Sequence, residues 1–419
     1  MASAKYRTSC VERFLRYVTV DTQSREDADT YPSTPGQLDL LRALRDELLE
    51  LGLSDATMDE HGYVFATIPA TSEKKNVPTI GFIAHVDTSP EMSGRDVKPI
   101  VHDNYQGQDL VLPDDPSVVI SPHSNPALSD QIGNSIVTAS GTTLLGADNK
   151  AGVAEIVGAA EYLMAHPEIA HGPLRIGFTP DEEIGEGTKY FDIERFGAFC
   201  AYTMDGETLG DLEIETFSAD AMSLTFYGFN IHPGFAKGRM INAIKLAADF
   251  IGRLPKDGLS PETTDDREGF VHPYVVDAGV EKTTVKFIVR DFVAAALAEK
   301  EDLLRRLAQA TVEDHPGARY EAEVVEQYRN MREVLDRHPE VVDHAKEAIR
   351  RAGLEPRTRP IRGGTDGSRL CFMGLPTPNV FAGEHSFHST TEWVSTHDMH
   401  KAVEVIIELA KVWEERARD

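Results

Sequence analysis

Cysteine is scarce in this chain: three residues in 419, Cys10, Cys200 and Cys371. An odd number at wide spacing argues against a disulfide framework and against a Cys-x-x-Cys zinc site, and leaves three free thiols expected to be buried or partly buried. Long apolar runs are also missing. No stretch of about 18 apolar residues exists, so no membrane-crossing helix is expected. The opening residues, MASAKYRTSCVERFLRYV, lack the apolar segment and small-residue cleavage site of a secretory signal, and the expected location is the cytoplasm. Basic residues are in deficit, 42 Lys and Arg against 69 Asp and Glu, a formal net charge of −27. Nucleic acids and anionic membranes are recognised by basic patches, so neither is an expected partner. Aromatic residues make up only 8% of the chain, but the apolar fraction of 41% is that of an ordinary folded protein, and general disorder is not expected.

A chain of this length is too long for one core, and two or three domains are expected. Val11, Phe14, Leu15 and Val18 recur at helical spacing. Ser33 or Thr34 can cap a helix with Pro35 at its first position, running through Leu38, Leu41, Leu44 and Leu48 to Gly52. Short apolar runs at 63–68, 80–84, 174–178 and 199–204 read as buried strands, and the Ala-rich stretch 151–165 as a buried helix. Such alternation predicts an α/β catalytic domain with a mixed, largely parallel sheet flanked by helices. Residues 88–143 interrupt it with Asp, Pro, Gly and Ser and read as an elaborated insertion. The character changes near 212. Strand-like stretches at 212–227, 282–289 and 318–328, with helices at 242–254 and 293–312, predict a smaller inserted α+β domain. The division is therefore 1–211 and 329–419 for the catalytic domain and 212–328 for the insertion, with further helices at 339–352 and 397–416.

Four polar clusters each follow an apolar run. His85 and Asp87 are two apart, so an extended backbone directs both to one side. Asp148 stands at the entrance of the buried helix, flanked by glycines. Asp181-Glu182-Glu183 places three carboxylates in succession, and Asp205 ends the run 199–204. His385 and His388 lie in a polar loop before the last helix. Taken singly, each has a plain structural explanation: a strand-end hydrogen bond, a helix N-cap, a solvated acidic turn. Together they suit a pair of metal ions. Cations offset the repulsion of adjacent acids, one Glu can bind metal while its neighbour moves a proton, and a shared carboxylate can hold two ions about 3.5–4 Å apart.

The order His85-Val-Asp87, Gly146-Ala-Asp148, Asp181-Glu182-Glu183, Asp205 and His388 resembles that of the di-zinc metallopeptidases that include carboxypeptidase G, aminoacylases and tripeptide aminopeptidases. The stretches HVDTSP (85–90), GTTLLGADNKAG (141–152), FTPDEEIG (178–185), YTMDG (202–206), HPGFAKG (232–238), RGGTDG (362–367) and LPTPN (375–379) are most similar to the tripeptide aminopeptidase subgroup. Asn149 departs from the acid more usual there. The resemblance implies a cytoplasmic enzyme releasing the N-terminal residue of tripeptides by hydroxide attack at a di-zinc centre, with cobalt or manganese as substitute ions. It implies that His85 and Asp205 bind one zinc, Glu183 and His388 the other, and that Asp148 bridges. His388, with Glu392 four residues on, is preferred to its rival His385. Glu182 is implied as general base and Asp87 as the group orienting His85. His232 would stabilise an oxyanion and Arg290 would bind the substrate carboxylate. Short peptides are the implied partners, with a homodimer through the inserted domain as a further arrangement the resemblance allows. The alternatives are an N-acyl amino acid deacylase or a carboxypeptidase with the same metals, and, further off, a metal-bound peptide-binding protein without turnover.

Overall fold

The apolar runs of the first third form strands because each is short, rich in Ile, Val and Phe, and bounded by Gly, Pro or Asp. In the computed structural model, which describes residues Lys5–Arg418, they enter an eight-stranded sheet. Its order is Thr57–Met58, Val64–Ile68, Leu174–Thr179, Ile80–His85, Cys200–Gly206, Asn379–Phe381, Asp211–Thr216 and Arg357–Ile361. The middle four strands are parallel to one another, and Val64–Ile68 joins Leu174–Thr179 antiparallel. The fold is therefore α/β with a mixed, largely parallel sheet. Every residue of Ile80–His85 is buried, which explains a continuous apolar run in place of an alternating one.

Ala147–Ala165 packs on the strands Ile80–His85 and Cys200–Gly206, and on the helix Thr396–Arg416. Its Ala and Gly residues permit burial on almost every side. Its N-cap is Gly146, at φ 82°, so Asp148 is not the cap and lies inside the first turn with a non-helical backbone. At the helix Pro35–Glu50, Thr34 is the N-cap but makes no capping bond: its hydroxyl donates to the Gln23 carbonyl. All three cysteines are free and buried. Among the described residues no helix is long and apolar enough to cross a membrane.

The chain divides into two compact units. The first holds the large sheet and comprises residues up to Ile214, Glu333–Arg359 and those from Thr365 on; the second comprises Glu215–Arg332 and Pro360–Gly364. Within the first, the stretch 88–143 contributes the strands Ile100–His102 and Ile136–Thr138. These join Glu384–His385 and Trp393–Ser395 in a four-stranded sheet. Beneath it lies a small core of Tyr105, Leu110, Leu112, Ile120, Leu128, Ile136 and Trp393. The insertion thus pairs with the loop that carries His385 and His388.

The second unit is a four-stranded antiparallel sheet, ordered Phe270–Ala278, Lys282–Asp291, Ser218–Tyr227 and Arg319–Tyr328. Lys282–Asp291 alternates exposed and buried residues, and its inward face packs with the helices Ala243–Gly252 and Ala294–Glu313 through Val285, Phe287, Phe250 and Leu304. Phe270–Ala278 went unread in the sequence because most of it is exposed and Pro273 interrupts it.

Candidate metal centre

Ligands in open α/β sheets gather beyond the carboxyl ends of parallel strands. The polar residues of the first unit collect there. His85 ends one central strand, Glu182 and Glu183 follow a second, Asp205 lies near the end of a third, and the loop holding His388 follows the fourth. Asp148 enters from the first turn of the buried helix. The Asp148–Asn149 peptide is cis.

The two oxygens of Asp148 face one histidine each. His85 Nε2 is 3.0 Å from Oδ1, and His388 Nε2 is 3.2 Å from Oδ2. Asp205 Oδ1 stands 3.3 Å from His85 Nε2, and Glu183 Oε2 stands 2.8 Å from His388 Nε2. Two triads result, His85–Asp148–Asp205 and Asp148–Glu183–His388, each with its ligand atoms within 4.8 Å of one another. His385 joins neither. It stacks on Trp393 at 4.1 Å and pairs with Glu207 at 3.2 Å. His388 has φ 59°, a left-handed backbone uncommon outside glycine, and its ring is partly exposed.

Asp87, fully buried, holds three groups. Its Oδ1 accepts the Glu182 N–H at 3.0 Å and its Oδ2 the Glu183 N–H at 3.1 Å, while Oδ1 stands 3.2 Å from His85 Nδ1. The carboxylate therefore anchors the peptide between the two glutamates, and Asp87 aligns the histidine through that carboxylate and through its own carbonyl, also 3.2 Å from His85 Nδ1. Asp181, the first of the three successive acids, turns away at φ 57°. Its carboxylate accepts the Ser33 N–H at 2.6 Å and Gln37 Nε2 at 2.7 Å, anchoring the start of the helix Pro35–Glu50.

Crowding distorts the proton affinities. Burial pushes Glu182 well above the usual carboxylate range, against the pull of His85, with Asp366, Asp205 and Glu183 adding to the rise. Burial, then the charge of Asp148, push Glu183 up to about 8. Burial raises Asp205 too. Burial opposes the charged imidazolium of both histidines, but Asp205, Asp148 and Asp87 hold His85 well above its ordinary value, and Asp148 and Glu183 hold His388 up at about 11. Burial also opposes charge on Asp148, and the hydrogen bonds from His388 and His85 hold it below its usual range. Buried acids in this state call for more positive charge than two imidazoles supply.

The residues present fit a pair of divalent ions on the same grounds. Glu183 Oε1 is buried without a hydrogen-bond partner, and Asp205 Oδ1 has only the His85 ring, at 3.3 Å. A buried carboxylate oxygen left bare is costly unless a cation faces it. The donor set, imidazole nitrogen and carboxylate oxygen, suits zinc, cobalt or manganese.

Several buried polar residues around the centre were not singled out by the sequence. Lys150, 1% exposed, donates from Nζ to the Val20 carbonyl at 2.8 Å, and burial lowers it to about 8. Asp366 accepts the Thr179 hydroxyl at 2.9 Å, and burial pushes it up to about 7. Glu384 is buried with Oε2 unpartnered. The only available signal was an acid or base inside an otherwise apolar or Gly-rich stretch, and Asp366 lies in RGGTDG.

The second unit holds His232 and Arg290. His232 is exposed, and its Nδ1 accepts the Gly234 N–H at 3.1 Å. Arg290 donates to the Arg362 carbonyl at 3.2 Å and lies over the Phe270 ring at 5.9 Å, with its Nε buried and unpartnered.

Comparison with known proteins gives three findings. The model of the family described as "Peptidase family M20/M25/M40" matches residues 144–412. The chain is 48% identical over 411 residues to a peptidase T of Geobacillus sp. (strain WCH70), covering 98% of this chain and 100% of that one. It is 49% identical over 407 residues to a peptidase T of Bacillus subtilis (strain 168), covering 97% and 99%. Among solved structures, a tripeptidase from Staphylococcus aureus subsp. aureus Mu50 superposes with a TM-score of 0.75 at 22% identity, covering 97% of this chain and 98% of that one. The B. subtilis YXEP protein, a dinuclear metal-binding peptidase, superposes with 0.63 at 16%, covering 97% and 98%.

Proposed function

The chain belongs to peptidase family M20/M25/M40, and from that premise we propose that it is a cytoplasmic, metal-dependent aminopeptidase releasing the N-terminal residue of tripeptides. The observation that carries the chemistry is the pair of triads sharing Asp148, with the Glu182 carboxyl in the field of His85, Asp205 and Glu183. The substrate class rests on the relatives named peptidase T and on the tripeptidase of the same fold.

In this reading His85, Asp148 and Asp205 hold one zinc ion and Asp148, Glu183 and His388 the other. Bound there, the ions supply Lewis-acid polarisation of the scissile carbonyl and a lowered pKa for water. Glu182 takes the proton of the attacking water and delivers it to the departing amine, which frees the first residue. Asp87 keeps His85 and the Glu182–Glu183 peptide aligned through the cycle. His232 is assigned the developing oxyanion and Arg290 the C-terminal carboxylate of the peptide, by a bidentate pair.

The test is hydrolysis of one tripeptide, free and N-acetylated, by zinc-loaded protein and by a chelated control. Release of the first residue from the free peptide alone, abolished by chelation, is expected. Cleavage of only the acetylated form would replace this substrate with that of a deacylase or carboxypeptidase. Turnover indifferent to chelation would remove the metals.

A further inference from the structure

Glu392 is 1% exposed and its carboxylate accepts three backbone N–H groups from a single segment. Oε2 takes Leu145 N at 2.6 Å and Gly146 N at 2.8 Å, and Oε1 takes Asp148 N at 3.0 Å. That segment delivers Asp148. Glu392 itself belongs to the loop that delivers His388, which is closed by Glu392 N–H to the Ser389 carbonyl at 3.3 Å and by the Ser389 hydroxyl to the Ser386 carbonyl at 2.6 Å. From Glu392 the chain enters the strand Trp393–Ser395, fixed against Ile136–Thr138. No other side chain among the described residues bonds to the N–H groups of 145, 146 and 148.

We propose that Glu392 is a positioning residue that sets the separation of Asp148 and His388, and so tunes the ion those two hold with Glu183. It touches neither ion nor substrate. It works by tying the segment that carries Asp148 to the loop that carries His388. Three N–H donors fix the orientation of the carboxylate, and both of its oxygens are used. Glutamine can satisfy the donors at one oxygen, but its NH2 then confronts the remaining N–H. Aspartate keeps the charge and shortens the reach by one methylene.

The inference rests on the proposed metal centre, so the experiment separates the two. Zinc binding by metal-free protein is measured by competition with a chromogenic chelator for wild type, Glu392→Gln, Glu392→Asp, His388→Ala and the double variant Glu392→Gln/His388→Ala. Wild type should bind two ions; fewer would overturn the metal centre itself. Glu392→Gln should weaken one ion about 10–100-fold, the range found when an outer partner of a ligand is lost. The same substitution in the His388→Ala background should then change affinity by no more than about threefold, because with His388 gone no separation from Asp148 is left to set; two interacting sites are non-additive in this way. An equal loss in both backgrounds, or wild-type affinity in Glu392→Gln, would overturn the positioning role. Where Glu392→Gln fails to fold, Glu392→Asp, alone and combined with His388→Ala, carries the same comparison.

Discussion

Replacing Asp87 by asparagine tests whether one buried carboxylate aligns the centre. The side chain keeps its shape and loses one acceptor. In the native arrangement Oδ1 and Oδ2 accept the N–H groups of Glu182 and Glu183 at 3.0 and 3.1 Å, and Oδ1 also faces His85 Nδ1 at 3.2 Å. An amide has a single oxygen, so its NH2 must oppose the N–H of Glu182 or of Glu183. One buried donor left unmatched costs about 1–3 kcal/mol of folding stability. The ligands respond as well: His85 loses a charged partner, and the peptide carrying the general base and Glu183 loses half of its anchor. Zinc affinity should drop about 10–100-fold, as is typical when a ligand's supporting carboxylate is removed. Chelator competition on the metal-free variant reads affinity, chemical unfolding reads stability, and tripeptide hydrolysis at saturating zinc reads what survives once the ions are forced in. Wild-type affinity for both ions with turnover within about threefold would refute the reasoning, since Asp87 would then be a buried charge of no consequence to the site.

Glu182→Gln should lower kcat about 10²–10⁴-fold, the usual contribution of a positioned acid–base group, while both ions stay bound; loss of an ion would make Glu182 a ligand in place of a base. Arg290→Ala should raise KM for tripeptides with a free carboxylate far more than for their C-terminal amides, and an equal change on both would end its assignment to the carboxylate. The metal-free protein should lose stability as pH rises. Acids raised above their unfolded values, such as Glu183 near 8 and Asp366 and Glu392 near 7, keep protons in the folded state that the unfolded chain releases near 3.8 for the aspartate and 4.5 for the glutamates. Stability is therefore full below about 3.8 and falls towards about 8. The raised histidines act in the same direction from 6.5 upward. A midpoint of thermal unfolding that climbs between pH 5 and 8 without metal would contradict this, whereas added zinc should abolish most of the decline.

What could be read from the sequence follows from where each residue sits. The central strands were legible because they are buried on both faces and hold continuous apolar runs; Phe270–Ala278 was not, because its exposed half carries no pattern. Asp148 could be read as a helix cap only while the backbone was unknown. With Gly146 in the left-handed region capping the helix, the carboxylate is free to face two histidines. His385 and His388 were inseparable by composition, and they part because a stack on Trp393 and a pair with Glu207 occupy the first. The three successive acids show the limit most plainly. Their spacing says that neighbouring side chains diverge, but not which one leaves. Asp181 leaves because Ser33 and Gln37, some 145 residues earlier, offer its carboxylate donors at the start of the helix Pro35–Glu50. Glu182 and Glu183 remain because Asp87 grips their N–H groups rather than their side chains. That grip directs two carboxylates into a pocket that already holds Asp148 and Asp205, against electrostatics, where each acid raises the proton affinity of the next. Without cations such acids must stay protonated well above their ordinary range, whereas cations facing them let them ionise and ligate. The charge of the site thus argues for bound metal independently of any likeness to other proteins.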